Sequence, residues 1–309
     1  MKKILFGAGK VGQRVLDTYK TEDVLAFCDN NIKLHGTYIQ GKKVISFEEL
    51  CAIAADVEVI ICSSVPKIAK SIVRQLSAKN IKYKFYNEFV DSNDIGTVFT
   101  KVYSEREWGA GEEPFYSGSG SHDVEIISPY IELLTSLILN NDIHKIVEVG
   151  CGDFFIMNKV LLNFQSLDYK VDYTGIDVVD ALIKHNIERY SSGSIHFMCA
   201  DASKDGIALP DGELLIIRQV LQHLDNKSIS NIMNKTQKSR YILVTEHIYE
   251  GDGVKYNLDK SVSENIRLNM LSGVYLDKPP YSYSNIVHLL KIPSDGGVIR
   301  TSLIVNDNE

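Results

Sequence analysis

No stretch of the chain holds the run of about 18 apolar residues that a membrane-crossing helix needs, so no membrane span is expected. Cysteine is scarce. Cys28, Cys51, Cys62, Cys151 and Cys199 make an odd number without a CxxC pair, which excludes a disulfide framework and a zinc-ribbon spacing. Most sit in apolar, strand-like runs such as Val59-Ile60-Ile61-Cys62 and read as buried free thiols of a cytoplasmic protein. An excess of basic charge is also missing. With 33 basic and 40 acidic side chains the formal charge is −7, so there is no broad footprint for a phosphate backbone and no nucleic-acid partner is expected. The apolar start Met1-Lys2-Lys3-Ile4-Leu5-Phe6 imitates a secretory leader, but Gly-Ala-Gly-Lys ends it too early. No His/Cys/Asp cluster has metal-ligand spacing, and no metal is expected.

What is present is ordinary globular material. Hydrophobic residues are 44% and charged residues 24% of 309, enough for a core, and the length favours two domains. Residues 1–90 alternate short apolar strands (Ile4–Phe6, Val24–Cys28, Val57–Cys62) with helices, one capped at Ser46-Phe47-Glu48-Glu49-Leu50 and one over 66–79. Residues 91–123 break that rhythm. They hold the single tryptophan, Trp108, and the run Ser117-Gly118-Ser119-Gly120-Ser121, and read as a linker or a loop folding over a ligand. From 124 to 309 the alternation resumes, with a helix over 124–139 and strands near 145–149, 171–176, 194–199, 213–218 and 240–245. Two last strands flank the turn Pro293-Ser294-Asp295-Gly296-Gly297, giving a terminal antiparallel hairpin. The fold class expected is α/β, two doubly wound Rossmann-like domains in tandem.

Each half carries a glycine loop after its first strand. Gly7-Ala8-Gly9-Lys10-Val11-Gly12 is a full GxGxxG, and Asp29 closes the next strand where a ribose-binding carboxylate would sit, so Gly7, Gly9, Gly12 and Asp29 form a candidate nucleotide site. A dehydrogenase or epimerase using NAD would add a Tyr/Lys pair on one helix. Tyr38…Lys42 and Tyr256…Lys260 have the spacing but not the helical context.

The second loop arrives with more parts in order. Glu148-Val149-Gly150-Cys151-Gly152-Asp153 leaves a strand, Asp177 closes the next, and Asp201 the third, so three acids meet at one crevice. The third glycine that a pyrophosphate would require is replaced by Phe155, which suits a ligand without phosphate, S-adenosylmethionine. On that reading Gly150, Cys151 and Gly152 face the methionine part and Asp177 with Val178 accepts the ribose hydroxyls. Asp201 and the Ala202 amide read the adenine, Glu148 orients the loop, and Arg218 closes the fourth strand beside the cofactor.

Residues 1–90 resemble the small Rossmann-like domain of bacterial sugar-modifying enzymes, through the glycine loop, Phe27-Cys28-Asp29-Asn30, Gly41-Lys42-Lys43-Val44 and Phe47-Glu48-Glu49-Leu50. Residues 103–305 resemble class I S-adenosylmethionine-dependent methyltransferases of sugar and surface-polysaccharide enzymes. The matching pieces are Trp108, the Ser/Gly run, Glu148–Asp153, Tyr173-Thr174-Gly175-Ile176-Asp177, Arg218-Gln219-Val220-Leu221-Gln222-His223-Leu224 and Pro279-Pro280-Tyr281. Where the family often ends its fourth strand with an acid, this chain has Arg218-Gln219.

The resemblance implies O-methylation of a sugar, nucleotide-sugar or sugar phosphate on the way to a capsular polysaccharide, by a cytoplasmic enzyme whose self-association is left open. A hydroxyl acceptor benefits from a base, for which His223, Glu246 and His247 stand nearest the crevice. Trp108, Ser119, Arg267 and Tyr281 are candidates for the acceptor side, Arg218 and Arg267 as partners of an anionic group and Tyr281 as a wall or lid. The alternatives are N-methylation of a small metabolite, an NAD-dependent sugar oxidoreductase using the first glycine loop, and a non-catalytic cofactor sensor.

Overall fold

A computed structural model of the chain describes residues 1–86, 94–111 and 113–306. The first sheet contains β1 (Lys2–Phe6), β2 (Val24–Cys28), β3 (Tyr38–Ile39), β4 (Lys42–Ile45), β5 (Val57–Ile61) and β6 (Tyr83–Phe85). Their order is β3-β4-β2-β1-β5-β6, parallel throughout except where β3 and β4 form a hairpin. Because alternate residues of a strand point to opposite faces, each apolar run supplies two cores. Leu5, Phe27 and Ile60 meet Val15 and Leu16 of α1 (Lys10–Asp17). Ile4, Phe6, Val59 and Ile61 meet Leu50 of α2 (Phe47–Ile53) and Ile72 and Leu76 of α3 (Pro66–Ala78). The start of α2 is the capping box read from Ser46 and Glu49, each side chain taking the other's backbone N–H.

The expected boundary near residue 90 lies outside the described residues. The segment expected as a linker, 91–123, contains two helices, α4 (Ile95–Ser104) and α5 (Ser119–His122). Asp94 caps α4 by accepting from the Thr97 N–H at 3.0 Å, and Phe99 and Val102, on one helical face, enter the second core. This apolar face was passed over because the segment was read through its Gly/Ser run.

The second sheet follows α6 (Val124–Asn140). It is built by β7 (Lys145–Val149), α7 (Phe155–Ser166), β8 (Asp172–Asp177), α8 (Asp180–Tyr190), β9 (Ile195–Cys199), β10 (Leu214–Arg218), α9 (Asn226–Met233) and β11 (Tyr241–Ile248). After the short parallel pair β12 (Lys255–Tyr256) and β13 (Ser272–Gly273) come β14 (Ile286–Ser294) and β15 (Gly297–Val305). The order is β14-β15-β11-β10-β7-β8-β9, with β15 antiparallel to both of its neighbours. Helices α6 and α7 cover one face and α4, α8 and α9 the other. The neighbours of β7 belong to connections running in opposite directions, so a crevice opens at the carboxyl ends of β7 and β10. Cys28, Cys62 and Cys151 are buried free thiols, whereas Cys199 is exposed because β9 is an edge strand. Among the described residues, no helix is long and apolar enough to cross a membrane.

The two sheets are joined by the 3₁₀ turn Arg267–Met270. Met270, fully buried, packs in the cluster of Ile72 and Leu76 against the first sheet, and Asn269 Nδ2 donates to the Ser63 carbonyl at 3.1 Å. Met270→Ala should therefore lower stability by about 2–5 kcal/mol, the range for emptying a buried Leu, Ile or Met site. Urea unfolding followed by circular dichroism checks this, and a loss under about 1 kcal/mol would mean that Met270 is not part of a closed core.

Candidate active site

The turn after β7 is fixed from three sides. The amides of Gly150 and Cys151 donate to the Ile176 carbonyl at 2.7 and 3.0 Å, and that of Gly152 donates to Asp177 Oδ2 at 3.1 Å. The Gly152 carbonyl accepts from Nδ2 of Asn186, a fully buried residue of α8, at 2.8 Å. Gly150 has φ +76°, and an added Cβ would stand 2.2 Å from Val220 Cγ2, so neither the backbone nor the space admits another residue. Asp177 Oδ1 accepts from the Val179 amide at 3.1 Å. Both oxygens thus accept from backbone amides and keep acceptor capacity. Burial pushes this carboxyl above its ordinary range, against the pull of the amides.

A cavity of about 470 Å³ opens over the turn. Glu148, the turn itself, Asp177 with Val178, Asp201 with Ala202, and Arg218 all line it, as the sequence reading expects of a cofactor pocket; Trp108, Ser119, His223 and His247 line it too. Asp201 Oδ1 accepts from the Ser203 amide and hydroxyl at 2.9 and 2.6 Å, while Oδ2 lies 3.7 Å from Lys204 Nζ. Glu148 lies beneath the turn and accepts from the Tyr173 hydroxyl at 2.5 Å; burial pushes its carboxyl up to about 8. The Arg218 guanidinium lies 4.9 Å over the Tyr130 ring and donates to the Gly120 carbonyl at 2.7 Å and Ser121 Oγ at 3.3 Å. It anchors the segment over the cavity more directly than it could serve an anionic ligand.

That segment, residues 117–122, is held by groups without an expected role. Asp153 Oδ2 accepts from the Ser117 amide at 2.8 Å and lies 2.7 Å from His122 Nε2, while the Asp153 amide donates to Ser117 Oγ at 3.0 Å. His122 stacks on Phe155 at 4.1 Å, and Tyr103 Oη lies 3.0 Å from Ser117 Oγ. Asp153 was visible in the motif, but its partners are remote in sequence. Asn186 had one signal, a lone amide on the apolar face of a helix.

The candidate bases separate. Glu246 is not among the residues lining the cavity: Oε1 and Oε2 accept from the amides of Leu221 and Gln222 at 3.0 and 2.8 Å. Its burial pushes the carboxyl up to about 8 although these donors pull it down. Glu246 is therefore the support of the turn after β10, not a group facing a substrate. His223 does line the cavity, with its ring centroid 5.1 Å from that of Trp108. Burial, reinforced by the Lys260 charge, lowers its ring to about 3. Its Nε2 lies 3.2 Å from Gln222 Nε2, and the backbone of Ser263 and Asn265 favours its proton against the burial. His247, lowered by burial to about 4, has a buried Nε2 without a hydrogen-bond partner.

Two acceptor-side expectations are corrected. Arg267 is fully buried and gives all five donors away, to the carbonyls of Leu258, Leu221, Gln222 and Leu224 and to Asn226 Oδ1, at 2.6–3.1 Å. No donor remains for an acceptor anion. Tyr281 donates to Asn226 Oδ1 at 3.1 Å and is not a cavity residue, because Asn257 Nδ2 ties the Lys278 and Pro279 carbonyls down beside it.

In the first glycine loop, Gly12 packs so tightly that a Cβ would lie 1.9 Å from the Gly7 carbonyl oxygen, whereas Gly9 faces open space. Asp29 Oδ2 accepts from the Ala8 amide and Oδ1 from the Asn31 amide, both at 2.8 Å. Neither Tyr/Lys pair shares a helix: Tyr38 and Lys42 flank the β3–β4 hairpin, and Lys260 is buried with Nζ on the His223 carbonyl at 2.9 Å.

Residues 1–84 match a family described as C2185-like, N-terminal. No curated protein matches the chain. Among solved structures it is similar to N-methyltransferase NodS from Bradyrhizobium japonicum WM9 in complex with S-adenosyl-L-homocysteine, at 13% identity and TM-score 0.46, over 68% of this chain and 99% of that one. It is similar also to magnesium protoporphyrin IX methyltransferase from Synechocystis PCC 6803 with bound SAM, at 12% identity and TM-score 0.43, over 71% and 100%. A third is an O-methyltransferase family protein from Burkholderia thailandensis, at 8% identity and TM-score 0.39, over 61% and 59%.

Glu148 gives the site a pH signature. Its proton is held up to about 8 in the folded chain against an ordinary 4.5. Between those values the unfolded chain has lost the proton and the folded chain keeps it, so the stability from this group is full below 4.5 and falls as pH rises toward 8. Glu148→Gln should remove that slope, gaining stability relative to the parent between pH 5 and pH 8. Urea melts at the two pH values test it, and parallel profiles for parent and variant would contradict the burial of a neutral carboxyl here.

Proposed function

We propose that the chain is an S-adenosylmethionine-dependent methyltransferase acting on a hydroxyl of a sugar, nucleotide-sugar or sugar phosphate, in the service of a surface polysaccharide. The observation that carries the cofactor is the Gly150–Gly152 turn clamped by Asp177 at the floor of a cavity of about 470 Å³, within the range of small-molecule sites. The donor set suits this ligand. Asp177 has acceptor capacity left for a ribose diol, Asp201 and Ala202 close the next strand end for a purine, and the turn's close approach leaves room for the amino-acid part. When bound, the cofactor would supply a methyl carbon on a sulfonium, an electrophile whose leaving group is a neutral thioether.

The remaining work falls to positioning, which can supply several kcal/mol of barrier by alignment alone, about 7–11 kcal/mol in the best intramolecular cases. Residues 117–121 line one side of the cavity. Trp108, held by its Nε1 donating to the Glu264 carbonyl at 3.3 Å, forms an apolar wall. Gln222 Oε1 accepts the His247 amide at 2.8 Å, which orients the Gln222 side chain so that its Nε2 donates to His223 Nε2. His223 then carries its proton on Nδ1, on the side where the backbone of Ser263 and Asn265 favours it, and forms part of the cavity wall. His247 Nε2 is the better placed to take the hydroxyl proton, although burial leaves it a weak base. The sugar class is supported by the resemblance of both halves to sugar-modifying enzymes.

Calorimetric titration with S-adenosylhomocysteine, and separately with NADH, tests the reading. Micromolar binding of the homocysteine analogue should weaken at least tenfold in Asp177→Asn, which keeps an acceptor for the Gly152 amide but loses the charge and one acceptor oxygen. Binding of NADH alone would move the active site to the first glycine loop and end the proposal.

A further inference from the structure

A second cavity, of about 210 Å³, adjoins the first. His247, Asn265, Ile266 and Asp295 line both, so the two spaces share a wall. The smaller one ends against Ser64 and Pro66, which belong to the loop from β5 into α3 at the carboxyl edge of the first sheet. This border between the sheets is firmly held. Met270 is embedded in the first core, Asn269 donates to the Ser63 carbonyl, and a Cβ on Gly296 would stand 2.7 Å from Pro66 Cγ.

We infer that the acceptor is recognised through a neutral, polyhydroxylated unit seated in this second cavity, with Ser64 and Pro66 of the first sheet completing the site. The inference rests on the methyltransferase reading and narrows its acceptor. The lining combines a hydroxyl (Ser64), amides (Asn265, Asn269), a carboxylate (Asp295) and an imidazole (His247) with the apolar surfaces of Pro66, Ile266 and Leu268. Hydroxyl groups above and below a saturated ring match such a set, polar contacts at the rim and C–H surface against the apolar wall. A phosphate finds nothing there. Among the described residues neither lysine nor arginine lines this cavity, and Asp295 would repel an anion. The buried, partnerless Nε2 of His247, a residue common to both cavities, is a polar atom that a bound hydroxyl would satisfy. The first sheet therefore serves the second as part of its acceptor site, whatever its own glycine loop holds.

The test uses the full chain saturated with S-adenosylhomocysteine, probed by saturation-transfer NMR with a panel of methyl hexosides and the matching hexose 1-phosphates at millimolar concentration. Hexosides should bind and the phosphates should bind more weakly. Ser64 is exposed, so Ser64→Trp should fill the cavity without disturbing the core. It should weaken hexoside binding at least tenfold while the S-adenosylhomocysteine affinity stays within twofold, and Ser64→Ala should stay within threefold of the parent on both ligands. Hexoside binding unaffected by Ser64→Trp, phosphates that bind better than hexosides, or a protein that takes S-adenosylhomocysteine but none of the hexosides would each overturn the inference. A parent chain that fails to bind S-adenosylhomocysteine would instead remove the methyltransferase reading on which it stands.

Discussion

The grip of Asp177 on the Gly152 amide is the contact from which the rest of the site is built. Parallel pairing of β7 with β8 sets Val149 opposite Ile176, so the next residue of β8 arrives beside the turn that β7 has just entered. A carboxylate there would be costly to bury alone; two backbone amides and the open crevice make it tolerable. The same device recurs in the first sheet, where Asp29 at the end of β2 accepts the Ala8 amide after β1. In both sheets an acid closing the second strand is first a clamp on the glycine turn and only then a ligand group. The geometry of that motif is therefore paid for by folding, which leaves a ligand to use the remaining lone pairs of an already ordered side chain.

A second constraint shapes the wall opposite. The turn after β10 carries Val220 over Gly150 and His223 into the cavity, and it is held by two buried side chains, a guanidinium and a carboxyl. Arg267 collects the carbonyls of Leu221, Gln222 and Leu224, and Glu246 collects the amides of Leu221 and Gln222. The guanidinium and the carboxyl meet through peptide groups rather than in direct contact, one satisfying carbonyls and the other amides of the same short stretch. Removing either side chain would leave its own backbone partners unpaired in an apolar core, so both residues matter for the site without touching what it binds.

This explains which parts were legible in the sequence. The strands, the two glycine loops and the closing acids were readable because period-2 burial and the strand-to-turn succession leave marks along the chain, and the residues read as lining a cofactor crevice do line one cavity. Glu246, near the end of β11, and Arg267, in the 3₁₀ turn Arg267–Met270, were misread because a charged residue in sequence looks the same whether it faces solvent, substrate or backbone; the direction is set by the turn after β10, which both hold from a distance in sequence. The helix at Ile95–Ser104 was missed although Ile95, Val98, Phe99, Val102 and Tyr103 recur at helical spacing, because the segment was read through its Gly/Ser run, and the exposure of Cys199 because edge position is a property of sheet order. The Asp153–His122–Ser117 clasp joins segments that no local pattern relates.

The ordering of the two histidines turns on a neutral amide between them. Gln222 Oε1 accepts the backbone N–H of His247, which fixes which end of the amide is nitrogen. That nitrogen can only donate, so His223 Nε2 must accept and the ring proton must sit on Nδ1. A neutral ring is also what burial imposes, since it holds His223 far below its ordinary range. The residue that sequence position makes the first choice as base thus has no free lone pair to offer, and its remaining ring proton is favoured by the backbone of Ser263 and Asn265. His247 is under no such restriction at Nε2, and it stands where the space over the glycine turn meets the space under the first sheet. The same backbone contact that orients Gln222 therefore fixes the tautomer of His223, and it does so before any ligand enters.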